Sequence, residues 1–460
     1  MLAAVINPYD DSVVGEVALS SQADVAQAIG RAYALREVFG RMPAYQRAEI
    51  LTNSADSISR HHADLARLMA QESGKPLRYA RAEVSRAVET FIFAADEARR
   101  LHGETLPMDA ARGGVGKIGY YLRVPVGVVA AITPFNFPLN LVAHKVAPAI
   151  AAGCPIVLKP APATPLTALR LAEITHAAGL PPDAFQVVIG DADVGHWLTS
   201  DPRIAMITFT GSPPVARAIS QVAGLRRATF ELGGNAAVIV DEGVTINDNL
   251  LNKVLVGSFA YSGQVCISVQ RIYIHRPLYD DFKTRFVEKT RRLQVGDPLS
   301  PDTEIGPLIN AAAGERLERW LAEAVAQGAQ VLVGGERQGR LFAPTVLESV
   351  REDMTIMCAE AFGPVVNLVP FDDFEQALAA VDDSEFGLQA GVFTPHLAHA
   401  LRAVERLHVG GVIINDTPTF RVDHMPYGGN KHSGVGREGP RFAVEDMTTL
   451  KMVVITPQTP

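Results

Sequence analysis

The stretch PIVLKPAPATPLTALRLAEITHAAGLPPDAFQVVI, residues 155–189, decides the fold. Ile156, Val157 and Leu158 are a short apolar run between prolines and read as a buried strand. A proline-punctuated loop leads into a helical pattern over residues 165–178, which Gly179-Leu180-Pro181-Pro182 ends. Residues 185–189 then read as a second strand. Strand, crossover helix and strand together imply a parallel sheet. The same alternation extends outward. Residues 118–133 are rich in β-branched and aromatic side chains and read as strands. Residues 206–210 form a strand running into Gly211-Ser212-Pro213-Pro214, where Ser212 suits an N-cap and Pro213 the first helical position. Upstream, helical patterns cover residues 24–39 (opened by Ser21), 43–70 and 78–101. Downstream, strand 236–240, helix 250–259, strand 271–275 and helix 279–292 form another α/β region. The fold class is α/β with at least two sheet-containing lobes.

Composition narrows the function. The 460 residues include 42 basic and 50 acidic side chains, a formal net charge of −8, and are 48% hydrophobic. That balance argues against disorder and shows no footprint for nucleic acid or an anionic membrane. The longest apolar run, residues 147–158, contains Pro148, Gly153 and Pro155 and falls short of the roughly 20 residues a membrane span needs. No signal peptide is visible, and three cysteines make no disulfide framework, so a reducing, cytoplasmic setting is expected. No metal site is expected.

Several residues could carry chemistry. Cys266 follows Ser262-Gly263-Gln264-Val265 and precedes a strand-like run. A thiol after a glycine-containing turn can be an accessible nucleophile, and a free cysteine can equally be a small buried hydrophobe. Cys154 and Cys358 read as structural. Glu231 lies between apolar residues and before Gly233-Gly234; burial would raise its pKa toward a general base's range, whereas an edge strand would leave it in water. Lys159 ends a buried strand, where open α/β sheets bind ligands, but it could also snorkel at the sheet edge. The stretch 190–195 is not G-x-G-x-x-G, so that motif gives nucleotide binding no support.

Order supplies what single residues do not. The chain contains Ile132-Thr133-Pro134-Phe135-Asn136-Phe137-Pro138, Leu158-Lys159-Pro160, Phe209-Thr210-Gly211-Ser212 and Glu231-Leu232-Gly233-Gly234-Asn235. Gly263-Gln264-Val265-Cys266, Glu360-Ala361-Phe362-Gly363-Pro364 and Pro426-Tyr427-Gly428-Gly429 follow, the last leading to Ser433-Gly434-Val435-Gly436-Arg437-Glu438. This series resembles the aldehyde dehydrogenase superfamily over nearly the whole chain. The resemblance implies NAD(P)-dependent oxidation of an aldehyde to the acid through a cysteine thiohemiacetal and a thioester. Cys266 would attack, Asn136 and the Cys266 backbone N–H would hold the oxyanion, and Glu231 would activate the hydrolytic water. Lys159 and Glu360 would hold ribose hydroxyls of NAD or NADP. Ile132, Thr133, Pro134, Gly211 and Ser212 would line the cofactor cleft, with Phe362 near the nicotinamide ribose. The implied architecture is a Rossmann-like cofactor domain over residues 1–110 and 125–232 and a catalytic domain over residues 233–436. A small β oligomerisation element, residues 111–124 and 447–460, would make homodimers or homotetramers.

The chain departs from the family pattern around the cofactor. Pro162 replaces a ribose-binding glutamate, the 190–195 loop looks one residue short, Pro213-Pro214 opens the phosphate helix, and Ala359 replaces the first acid of a Glu-Glu pair. The initial β-hairpin is expected to be missing or shortened. Two other readings stand beside hydrolysis. A CoA-acylating enzyme commonly lacks the base that Glu231 supplies, and an inert binding or structural member would be expected to lose Cys266 or Glu231. Motifs around residues 137–145 and 420–427 resemble the lactaldehyde, glyceraldehyde-3-phosphate and phosphonoacetaldehyde dehydrogenase subgroup, hence a small polar or anionic aldehyde. His144, Arg421 and His424 are the substrate candidates. Ala260 stands where succinic semialdehyde dehydrogenases have an arginine, which disfavours that substrate. With no carboxylate at position 162 to repel a 2′-phosphate, NADP should bind at least comparably with NAD. Dissociation constants favouring NAD by more than about tenfold would reject this, and Pro162→Glu should shift preference toward NAD by on the order of 1 kcal/mol.

Overall fold

The computed structural model describes residues 1–458, so 459 and 460 of the expected oligomerisation element lie outside the described residues. Two large sheets organise the chain. The first has the strand order Gly434–Val435, Arg227–Glu231, Ile204–Thr210, Val128–Ile132, Ile156–Lys159, Phe185–Val187, parallel except at Gly434–Val435. Its strands are apolar on both faces because both are covered. Val129, Ala131, Ile156 and Leu158 face one helical layer, while Val128, Ala130, Ile132 and Val157 face the other. Each of the valine, isoleucine and leucine side chains, fully buried, contributes about 1.5–3 kcal/mol. The second sheet runs Gln330–Val333, Thr345–Glu348, Val365–Phe371, Val269–His275, Ala236–Val240, Gln389–Phe393, Gly411–Ile414, with only its first pair antiparallel.

The chain winds outward from Val128–Ile132 through Ile156–Lys159 to Phe185–Val187, then returns to the other side at Ile204–Thr210. The order therefore reverses beside Val128–Ile132, and such a switch point leaves a crevice at the strands' carboxyl ends. Glu231 ends the last parallel strand, and residues 232–235 carry the chain directly into the second sheet.

Most sequence expectations appear with shifted ends. The residue 24–39 helix is Gln22–Gly40, with a capping box between Ser21 and Asp24. The 43–70 pattern divides into Ala44–Arg60 and His62–Ser73, because His61 leaves helical geometry at φ −95°, ψ 18°. Ser212 precedes helix Pro213–Ala223, but its side chain makes no cap bond; Pro214, at the second helical position, has no N–H to donate to it. The initial hairpin, expected to be missing or shortened, is formed by Leu2–Ile6 and Val13–Ala18, whose Val5 and Val17 pack with Ile189. A separate antiparallel sheet joins Thr448–Ile455 to Ile118–Pro125 along their full length, and Glu104–Leu106 adds a strand upstream of the boundary read from sequence. Among the described residues no helix is long and apolar enough to cross a membrane.

One buried ion pair supports the site directly. Lys75 and Glu83 pair with no exposed side-chain surface. Glu83 Oε1 also accepts the backbone N–H groups of Leu139 and Asn140, each at 3.0 Å, which fixes the start of helix Asn140–Ala152 just after Asn136. Glu83→Ala strands the Lys75 charge and should cost about 3–5 kcal/mol. Urea unfolding checks this, and Lys75→Met/Glu83→Gln should lose less than the two single changes summed.

Candidate active site

The site forms where the carboxyl ends of the first sheet's strands meet the amino ends of the second. Cys266 is placed by an unusual turn. Tyr261 and Ser262 adopt left-handed φ values of 50° and 56°, followed by Gly263 at 68°. A Cβ on Gly263 would lie 2.1 Å from the Gly363 carbonyl oxygen, so glycine alone fits. Ser262 Oγ bonds the Gly306 carbonyl at 2.8 Å and Tyr261 Oη the Ser73 carbonyl at 2.9 Å, which holds the strained turn. Cys266 emerges from it partly exposed, with Sγ 3.0 Å from the Tyr427 hydroxyl. Asn136 Nδ2 donates to the Gln264 carbonyl at 2.9 Å. An amide nitrogen has two N–H groups, so one is left for a developing oxyanion beside this turn.

Glu231 is buried, and neither carboxylate oxygen has a partner among the described residues. A Cβ on Gly428 would meet Glu231 Oε1 at 2.7 Å, which places the carboxylate against the residue following Tyr427. Burial, then the nearby Glu438 charge, hold its pKa well above the ordinary carboxylate range. Burial would raise Glu438 too, but Lys145, His144 and Arg421 hold it down to about 2. Lys145 Nζ donates to Glu438 Oε1 at 2.9 Å and to Thr208 Oγ1 at 3.2 Å. The two carboxylates are thus sorted, Glu438 held down and Glu231 held well above the ordinary carboxylate range.

The switch-point crevice is a cavity of about 610 Å³ lined by Ile132, Lys159, Pro162, Asp191, His196 and Pro214, among others. Lys159 Nζ reaches only the Pro160 carbonyl, at 3.4 Å; burial lowers its pKa to about 8, with Asp191 opposing. Thr133 donates its N–H to the Lys159 carbonyl at 3.2 Å, and its buried Oγ1 is unpartnered. The Gly211 N–H donates to the Glu231 carbonyl at 3.0 Å, which ties the Gly211-Ser212 turn to the base. Glu360 Oε1 accepts the Gly234 N–H at 2.9 Å, and burial pushes its pKa up to about 7. Phe362, at φ 46°, meets Phe135 edge-on with ring centroids 5.9 Å apart. A roomy crevice, an amine without a carboxylate partner and an unpartnered hydroxyl fit a dinucleotide.

The family model for the aldehyde dehydrogenase family matches residues 2–453. The chain belongs to the aldehyde dehydrogenase family. It is 44% identical over 453 residues to 3-sulfolactaldehyde dehydrogenase of Priestia aryabhattai, covering 98% of this chain and 94% of that protein. The crystal structure of aldehyde dehydrogenase 21 from Physcomitrella patens, in complex with the reaction product succinate, matches with TM-score 0.97 at 41% identity, over 99% of this chain and 95% of that one. GapN, a glyceraldehyde-3-phosphate dehydrogenase from Methanocaldococcus jannaschii complexed with NADP, matches with TM-score 0.94 at 38% identity, over 99% of both chains.

The substrate candidates of this aldehyde dehydrogenase occupy different surroundings. His144 is buried, with Nε2 2.9 Å from Asp423 Oδ1 and 3.0 Å from Arg421 Nη2. Arginine only donates, so an imidazole protonated on Nε2 satisfies Asp423 and leaves Nδ1 a buried acceptor without a partner. Burial and then the Arg421 charge keep its pKa below the ordinary value. Arg421 donates to Glu438 Oε2 at 3.2 Å, covers the Tyr427 ring at 3.7 Å, and has an unpartnered Nε–H. His424 is exposed and tilted against Phe93, ring centroids 4.8 Å apart. Sequence reasoning gave no role to Arg86, Lys145, Asp423, Tyr427 or Glu438. Arg86 holds Asp423 with two bonds, 2.8 and 3.1 Å. Its only local signal is its position three residues after Glu83 on an amphipathic helix.

A carboxylate can act as a base only when ionised, so a step that used Glu231 would slow as pH falls through its raised pKa. Glu438→Gln removes a negative neighbour and frees the Lys145 charge; both favour ionised Glu231. The acid limb of the kcat–pH profile should therefore move to lower pH, and an unmoved limb would leave burial as the whole cause.

Proposed function

We propose that the chain oxidises a short aldehyde with a polar or anionic tail to the carboxylic acid, using NAD or NADP. The observation that carries this reading is the pairing of a partly exposed thiol, Cys266, with a buried carboxylate, Glu231, that has no partner among the described residues. Cys266 Sγ adds to the carbonyl carbon and the electron pair moves to oxygen. The spare Asn136 N–H and the Cys266 backbone N–H donate to that oxygen. A bound nicotinamide would supply the acceptor for the hydride on the aldehyde carbon, and the oxygen's electron pair would return to re-form the carbonyl as a thioester. Lys159 and Glu360 would hold its ribose hydroxyls, with Ile132, Thr133, Pro134, Gly211, Ser212 and Phe362 around it. Glu231 then takes a proton from water, whose oxygen attacks the thioester carbon, and the carbon–sulfur bond breaks.

The relatives support the charge of the tail, since one is named for a sulfonated aldehyde and another carries succinate. The second returns succinic semialdehyde to consideration despite Ala260. Arg421 and Arg86 are the cations that suit such a tail, with His144 behind Arg421 and His424 at the outer edge. We assign the sheet of Glu104–Leu106, Ile118–Pro125 and Thr448–Ile455 to homo-oligomer assembly, supported by its exposed Leu122, Leu450, Met452 and Val454. The 1–110 and 125–232 segments would bind cofactor and residues 233–436 would carry the thiol.

The test follows reduced-nicotinamide absorbance with sulfolactaldehyde, succinic semialdehyde, lactaldehyde, phosphonoacetaldehyde and simple alkanals, with and without CoA. Anionic aldehydes should have higher kcat/KM than neutral ones of equal length, and CoA should not be required. Arg421→Ala should slow both substrates, because Arg421 also holds Glu438 and the Tyr427 ring, and should cost the anionic one on the order of 2 kcal/mol more. Equal losses would make Arg421 structural, and activity retained in Cys266→Ala would sink the nucleophile assignment.

A further inference from the structure

Tyr427 is fastened on every side except at its oxygen. Its backbone exchanges two hydrogen bonds with Glu438, N–H to carbonyl at 3.1 Å and the return at 2.6 Å. Its ring packs with Ile267 and Leu388, and the Arg421 guanidinium covers one face at 3.7 Å. A phenylalanine would fill the same space, so packing alone does not account for the hydroxyl. Buried phenols normally find a polar partner, and among the described residues this one has a single partner, Cys266 Sγ at 3.0 Å. Either atom can donate while the cysteine is a thiol. Once the sulfur is ionised, only the phenol holds a proton, and a bond to an ionised acceptor is the stronger kind. The Arg421 charge on the ring face makes that O–H a better donor.

We propose that the Tyr427 hydroxyl is a catalytic hydrogen-bond donor to Cys266, aiming the sulfur and sharing the thiolate's charge until the carbon–sulfur bond forms. The inference rests on Cys266 as the attacking group. The thiol proton leaves to solvent, which reaches the partly exposed sulfur. The sulfur lone pair makes the new bond, the carbonyl pair moves to oxygen, and Tyr427 keeps its proton throughout. The surroundings show why a donor is needed: burial above all, with Glu360 and Glu231 adding to it, holds the thiol up at about 11 even though the Tyr427 bond and then Arg421 pull it down.

The experiment measures Cys266 alkylation by iodoacetamide across pH, resolved to that residue by mass spectrometry because Cys358 is also exposed. Wild type is compared with Tyr427→Phe, and with Tyr427→Met should the first variant fail to fold. Loss of a donor to the thiolate should move the alkylation profile up by about one pH unit, an approximately tenfold slower reaction on its acid side. The same variant should lose about tenfold in aldehyde kcat/KM, with cofactor dissociation constants unchanged. An unmoved profile overturns the proposal. So does a downward shift, which would mean that the thiol donates to the phenol. Cys266→Ala is the separate control: if it still oxidises aldehydes, the nucleophile assignment fails, whatever the alkylation profile shows.

Discussion

The site depends on Asp423. Its carboxylate accepts from Arg86 through two nitrogens, from Asn140 Nδ2 at 3.0 Å and from His144 Nε2 at 2.9 Å. Burial opposes its charge, yet the His144 bond and the Arg86 charge hold its carboxyl far below the ordinary range. Four donors around one buried anion make an expensive group to remove and a well-defined one to build on. They pin a C-terminal loop to two helices from the first third of the chain. Arg421 and Tyr427 lie two residues before and four residues after this anchor, so their reach to Glu438 and Cys266 follows from it.

Three charged pairs stand around the site, and Glu231 belongs to none of them. Lys75 has Glu83, Lys145 has Glu438, and Arg86 has Asp423. Glu231 has no cation in direct contact, although Arg421, Lys145 and Arg437 act on it from a distance. A carboxylate kept from both water and a salt bridge is unstable as an anion, and that instability holds its pKa well above the ordinary range.

The parallel sheet was legible because its strands are covered on both faces. Continuous apolar runs need no alternation there: Ile156, Val157 and Leu158 are all buried, and each simply faces a different layer from its neighbour. Cys266 and Glu231 stood out through the glycines beside them, which the structure ties to close backbone approaches. The break at His61 carried no glycine or proline to announce it. The Arg86–Asp423 contact joins residues 337 apart, and one sequence holds no trace of such a pairing. Tyr427 was visible only as part of a motif. Its importance lies in an oxygen's distance from a sulfur, which a local pattern does not encode.

The Asp423 anchor also bears on how this chain can be rebuilt. A segment exchange that imports residues 420–427 from a relative carries the anion but leaves its donors, Arg86, Asn140 and His144, in the host. If the host lacks any of them, the grafted loop arrives with an uncompensated buried charge. The natural unit for exchanging this loop is therefore discontinuous: one loop and the inward-facing positions of two helices, transplanted together, with both large sheets left untouched.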